Sequence, residues 1–441
     1  MVSRQSAMGS IYQICLWLAL PWVWLRLRWR ARSEPAYALR HAERFGRVPE
    51  NIRPGCIWFH TVSAGETIAA SPLIESWARE YSTVPVLVTT MTPTGSEQVQ
   101  QRLGKWVDHC YAPYDFPFAV ERFFSRVKPR MLVLMETELW PNLILAAHNA
   151  SIPVVLVNAR LSERSARGYA RVSGLTHPML ARINAIACQT QEDAARFIAL
   201  GARAKDIQVT GSMKFDVSLP DKFAVNVSAL RHQLDLSERL VWVAGSTHAG
   251  EEELVLAAFS EIRRQHPGLV LVLVPRHPSR SSEVCALVRA AGYRYICQSD
   301  MDSGGVRSNH ADSLPPEVVV GDVMGSLLML YGLADVAFVG GTLAASGGHN
   351  PLEPALCRLP IACGPSQFNF VRVMQLLQQA GALSTVESAS DLVRVIGGWL
   401  DDPDARRTAG EAAAATLGAN RGATHQVASL LRDRARDVLG R

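Results

Sequence analysis

The sequence predicts an α/β protein made of two doubly wound halves, and three observations carry that prediction. From residue 54 to 211 short apolar runs alternate with amphipathic stretches. A polar segment with Pro220 and Asn226 then breaks the rhythm, and a second alternating series starts at residue 240. Strand–helix alternation at this spacing gives a parallel sheet covered by helices on both faces. The 441 residues leave room for two domains, each with its own core.

The first element is an apolar stretch at 11–25, holding Trp17, Trp22 and Trp24 and running straight into Arg26, Arg28, Arg30 and Arg32. About 15 residues are short for a perpendicular span, which needs roughly 20. No small-residue cleavage site follows, which argues against a cleaved signal peptide. The arginines keep that flank, and with it the body of the protein, in the cytoplasm. Clustered tryptophans suit an interfacial or marginally spanning anchor. Residues 1–32 are therefore read as a membrane anchor with a basic flank. The competing reading, a helix of the core, would have to bury four arginines.

In the first half, 33–217, strands are expected at 56–60, 84–90, 131–135, 153–158, 185–189 and 207–210. Each is a short apolar run bounded by turn residues, and helical stretches at 68–79, 94–103, 119–127, 139–148 and 192–200 fill the gaps. Residues 218–237 are read as the linker. The second half, 238–441, has strand runs at 240–244, 270–274, 293–297, 318–320, 336–339 and 360–363. Its helices are expected at 251–264, 284–291, 327–333 and 371–380, with a Ser/Gly/Asp/Pro-rich loop at 301–316. From 392 onward the chain is Ala/Arg/Asp-rich and helical by propensity. Two such halves imply an interdomain cleft, with ligands at the carboxyl ends of the strands.

Composition narrows the function. A net charge of +5 and a pI near 8.8 suit an acidic ligand or an anionic membrane surface better than nucleic acid. Eight cysteines without a Cys-x-x-Cys pair read as reduced cytoplasmic thiols, and no ligand spacing suggests a zinc site. Neither half carries Gly-x-Gly-x-x-Gly after its first strand. Residues 245–250 also lack the Lys-Ser/Thr of a P-loop, which disfavours a nicotinamide enzyme or an ATPase.

Several strand ends hold residues suited to chemistry. In His60-Thr61-Val62-Ser63-Ala64-Gly65-Glu66-Thr67, Gly65 permits a tight turn and Glu66 falls in the first helical turn. There the helix dipole favours the ionised, proton-accepting form, so Glu66 is either a base or a helix-start residue. Glu136-Thr137-Glu138 brings two more carboxylates to the same sheet edge, with Glu136 nearest the strand end and Glu138 also readable as a helix-start residue. Lys214, beside Gly211, is placed to meet developing negative charge or else is a solvated linker lysine.

In the second half, Pro275-Arg276-His277-Pro278 offers a guanidinium fork for phosphate or carboxylate, with His277 beside it, or a solvated surface turn. Gly321-Asp322-Val323-Met324-Gly325-Ser326 precedes an apolar helix, whose first amides suit an anion or a nucleobase. Gly347-Gly348-His349-Asn350-Pro351-Leu352-Glu353 leads to a helix start with amides expected to be free for phosphate, and Glu353 suits ribose hydroxyls. An ordinary Gly-loop and capped helix would look similar.

These stretches, joined in the same order by 88–96 and 158–162, resemble the Kdo transferases of lipopolysaccharide assembly. Those enzymes move 3-deoxy-D-manno-octulosonic acid (Kdo) from CMP-Kdo onto a lipid A precursor. The resemblance implies a GT-B glycosyltransferase that inverts the sugar and uses neither metal nor cofactor. It implies Glu66 as general base, and Glu136 and Lys214 as transition-state stabilisers. CMP would be bound by Pro275, Arg276 and His277, by Met324, Gly325 and Ser326, and by Asn350, Pro351, Leu352 and Glu353. Ser326 stands where enterobacterial relatives have Glu, which leaves a backbone contact there. The implied partners are CMP-Kdo, lipid IVA as acceptor and inner-membrane lipids, with no nucleic acid, on the cytoplasmic face of the inner membrane. A UDP-sugar enzyme of the same fold and a catalytically silent lipid- or sugar-binding protein are the two other readings.

Overall fold

The computed structural model describes residues 2–302 and 315–440. The chain divides into two compact units, Met1–Asp216 with Asn420–Arg441 and Val217–Ala419, each built on one parallel seven-stranded sheet.

The first sheet contains β1 (Ile57–His60), β2 (Val86–Thr90), β3 (Asp108–Tyr111), β4 (Met131–Met135), β5 (Val154–Ala159), β6 (Ala185–Cys188) and β7 (Ile207–Val209). Its order is β3-β2-β1-β4-β5-β6-β7. Successive residues alternate between two separate cores. Ile57, Phe59, Val88 and Val133 pack on one face, and Trp58, Leu87, Leu132 and Leu134 on the other. Burial on both faces is why these strands read as continuous apolar runs.

The second sheet contains β8 (Val241–Thr247), β9 (Val270–Pro275), β10 (Tyr295–Cys297), β11 (Val318–Val320), β12 (Val336–Val339), β13 (Ile361–Cys363) and β14 (Leu383–Thr385). Its order is β10-β11-β9-β8-β12-β13-β14. Both orders reverse beside the first strand, so β1/β4 and β8/β12 are the topological switch points where ligands bind in such sheets.

Three expectations change. First, β3 and β14 were not anticipated. Both are edge strands, and a strand with one free flank can carry polar residues such as Asp108, His109, Ser384 and Thr385. Second, 218–237 is more than a linker. It contains the helix Phe223–Gln233, whose Arg231 donates to the Leu333, Leu236 and Arg239 carbonyls of the second unit. Third, the last helix, Ala423–Leu439, belongs to the first unit. Its Ala423, Val427, Leu431 and Ala435, four residues apart, cover the Phe59 face of the first sheet. Asp216, where the chain leaves that unit, accepts from the amides of Gly422 (2.6 Å) and Thr424 (2.5 Å), where it returns. Of the loop expected at 301–316, residues 303–314 lie outside the described residues.

The apolar stretch at the N-terminus is part of one helix, Val2–Ser33, which continues through Pro21 and the arginines. Residues Gly9–Arg32 are long and apolar enough to cross a membrane. One side of this helix rests on the first unit. Tyr12 donates to Asp115 (2.7 Å), Gln13 to Asn142 (2.5 Å), Trp17 stacks on Phe118, and Leu27 is buried.

Candidate active site

The first unit gathers its candidate residues at the β1/β4 switch point. Ser63 caps the helix Ala64–Glu80, accepting from the Glu66 amide at 3.3 Å. The Glu66 carboxylate folds back over the helix start, taking 2.8 Å hydrogen bonds from the Ser63 hydroxyl and from the Val62 amide. Both carboxylate oxygens are thus held in place, and each keeps a lone pair.

Here the expected electrostatics reverse. The helix dipole alone would keep Glu66 ionised, yet its pKa is pushed up to about 7. Burial is the largest cause, the negative charges of Glu138 and Glu136 add to it, and the hydrogen bonds from Val62 and Ser63 oppose it. Desolvation and like charge outweigh one helix end.

Glu136 follows β4 with a left-handed backbone, φ 51°, and is 6% exposed. It is clamped by two cations, Lys214 at 3.0 Å and Arg160 at 2.7 Å. Lys214 rides on the one-turn helix Met213–Phe215, which Asn158 at the end of β5 holds by accepting from the Met213 amide at 3.0 Å. Lys214 is therefore no solvated linker residue: it belongs to an ion-paired group with Glu136. Glu138 is not a helix-start residue either, since the next helix begins at Pro141. Its carboxylate instead accepts from the Trp140 indole at 2.9 Å, and burial raises its pKa. His60, fully buried, is pushed down to about 3 by desolvation and stays neutral.

The second unit presents a different set at the ends of β9, β8 and β12, adjacent in the sheet. Arg276 and His277 are exposed just past β9. Across the β8/β12 switch point His248 and His349 stack face to face, with their Nε2 atoms 2.8 Å apart, and the His277 ring lies 6.4 Å from His248. At that distance one Nε2 donates and the other accepts. Loss of hydration first, partial at the exposed His277 and larger at His349, and then the charge of Arg276 lower His277 and push His349 down to about 4.

The scaffold of this set is Glu251, 1% exposed, which accepts from the amides of His248, Gly341, Thr342, Leu343 and Ala344. One carboxylate thereby fixes the loops carrying both His248 and His349. Glu252, also buried, takes Thr247 at 2.9 Å and Arg280 at 2.7 Å.

The loop 321–326 follows β11, beside β9, with Met324 and Gly325 exposed and Gly325 at φ 85°. The single proton of the Ser326 hydroxyl is within reach of two acceptors, Gln298 Oε1 (2.7 Å) and the Val323 carbonyl (2.8 Å). One expectation for 347–353 fails. Pro351 has no N–H, and the Leu352 amide is taken by Asn350 Oδ1 at 3.1 Å, so this helix start does not offer it to phosphate. Asn350 also donates to Glu353 at 3.2 Å.

Arg160, His248, Glu251 and His349 were not singled out as individual site residues from the sequence. The available signal was position alone: Arg160 and His248 lie just past strand runs, and Glu251 opens a helix.

Comparison with known proteins adds the family. A model described as 3-deoxy-D-manno-octulosonic-acid transferase matches residues 40–217. The 3-deoxy-D-manno-octulosonic acid transferase of Haemophilus influenzae is 37% identical over 403 residues, 91% of this chain and 92% of that protein. The protein of the same name from Bordetella pertussis is 34% identical over 96% of this chain and 99% of its own. Among solved structures, the UDP-GlcNAc 2-epimerase of Neisseria meningitidis covers 86% of this chain and 100% of its own, with TM-score 0.55 and 14% identity. That likeness shows the GT-B-like fold.

Proposed function

The chain belongs to the Kdo transferase family and carries that transferase activity of lipopolysaccharide biosynthesis; from that premise we propose an inverting, metal-independent transfer of Kdo from CMP-Kdo to lipid IVA on the cytoplasmic face of the inner membrane. Glu66 accepts the proton of an acceptor hydroxyl as its oxygen bonds to the anomeric carbon of Kdo. The bond from that carbon to the CMP phosphate breaks on the opposite face, and its electron pair leaves with the phosphate. The anomeric carbon takes oxocarbenium character in between, as in glycoside chemistry generally.

The remaining residues manage charge. Lys214 meets the Kdo carboxylate or the departing phosphate, and Glu136 positions it together with Arg160. Arg276, with imidazole N–H donors from His277 and the His248–His349 pair, takes the phosphate of CMP. Pro275, the Met324–Gly325–Ser326 turn and the Asn350–Glu353 segment bind the rest of the nucleotide.

The observation carrying this reading is Glu66 itself, buried, held at both oxygens and poised at about 7, the value a base needs near neutral pH. Its test is mass spectrometry of tetraacylated lipid A precursor after incubation with the enzyme and CMP-Kdo generated in situ. Mass gains in whole Kdo units, unchanged by EDTA, are expected. Intact donor and acceptor with folded protein would refute the reaction, and tight UDP with weak CMP binding would point to a UDP-sugar enzyme.

A further inference from the structure

The N-terminal helix is seated on the first unit along one side and presents an apolar stripe along the other. Ile11, Ile14, Leu18, Trp22, Leu25 and Trp29 are each more than half exposed. At about 100° per residue they fall within an arc of about 80°, a continuous stripe along the helix. The opposite side carries the docking contacts, and these occur near both ends. Tyr12 and Gln13 bond Asp115 and Asn142 at one end; at the other Leu27 is buried and Arg30 donates to Tyr37 at 3.1 Å.

A helix crossing about 30 Å of hydrocarbon would have to leave this seat and break the Tyr12–Asp115 and Gln13–Asn142 hydrogen bonds. We propose that the helix lies in the membrane plane, with the Ile11–Trp29 stripe inserted among the lipids and its opposite side still seated on the first unit. This rests on the membrane location given under the proposed function and decides how the chain is held there. The occupant is a bilayer with anionic headgroups. Arg26 and Arg28 flank the stripe on either side, stacked over Trp22 (5.3 Å) and Trp24 (3.8 Å), the arrangement of an interfacial belt. An apolar groove of about 580 Å³, lined by Leu20, Pro21, Trp24, Leu25, Phe45 and Phe118, extends the lipid-facing surface onto the body of the unit.

The test uses the full chain and vesicles of phosphatidylethanolamine and phosphatidylglycerol. Cys15, exposed on this helix, is a native site for a spin label, and Ile11→Cys, Leu18→Cys and Leu25→Cys in a Cys15→Ser background extend the series. All labels are expected at one shallow depth. The double variant Leu18→Glu/Trp22→Glu should lower vesicle partition by about tenfold or more while keeping transfer to detergent-dispersed acceptor. A depth gradient from Leu25 to a far-leaflet Ile11 would show a span and overturn the proposal. Partition unaffected by the double variant, with the stripe instead buried in a dimer, would overturn it too. Shallow labels and vesicle binding without any transfer would support the anchor and remove only the reaction assigned to it.

Discussion

In the first unit the loops at the β1/β4 switch point bring together three carboxylates, Glu66, Glu136 and Glu138; in the second, the loops after β8, β9 and β12 bring together three imidazoles and Arg276. The scaffold is the same and the electrostatics are mirror images. Burial raises Glu66 and Glu138 and their neighbours' negative charge adds to it, while burial lowers His277 and His349 and the charge of Arg276 adds to it. Glu66 and Glu138 in the one set, and His277 and His349 in the other, are therefore less charged at neutral pH than the same side chains in water. A carboxylate held near neutrality can take a proton, and neutral imidazoles beside a fixed guanidinium can donate to an arriving phosphate without repelling one another.

The largest effect should come from breaking the carboxylate side. Glu66→Gln should lower turnover by on the order of 100-fold or more while leaving CMP affinity unchanged, read by product mass and by calorimetry with CMP. Normal turnover would remove Glu66 from the chemistry. Next, Arg276→Ala should weaken CMP binding by about 10- to 100-fold, the worth of a charged hydrogen-bonded contact, without moving the pH dependence of transfer. A variant that binds CMP normally but loses the pH limb would swap the roles of the two sets. Smaller again, Glu251→Ala should lower the melting temperature by on the order of 5 °C, because five amides lose their acceptor, and should also weaken CMP binding.

The sequence shows the parts of this comparison better than their interaction. The central strands were legible because burial on both faces demands continuous apolar runs, and the strand ends of Glu66, Glu136 and Arg276 followed from them. Edge strands β3 and β14 were not, because one free flank tolerates polar residues. The last helix shows its apolar stripe in the sequence, but not that the stripe covers a sheet some 300 residues earlier. The proton affinity of Glu66 was misjudged for a related reason. The helix start is local, whereas Glu136 and Glu138 lie 70 and 72 residues away and converge on it only through the β1/β4 pairing. The clamp of Lys214 and Arg160 on Glu136, and the five amides on Glu251, are likewise products of topology.

The pH dependence of single-turnover transfer, in the wild type and in Glu138→Gln, reads out the proton affinity of Glu66 and its coupling to Glu138. With Glu66 at about 7, the ionised fraction and hence the rate should rise about fivefold from pH 6 to 7 and level off above 8. Removing the Glu138 charge should shift that limb to lower pH. A limb near the ordinary carboxylate value of about 4.3 in the wild type, or one that does not move in Glu138→Gln, would contradict the account.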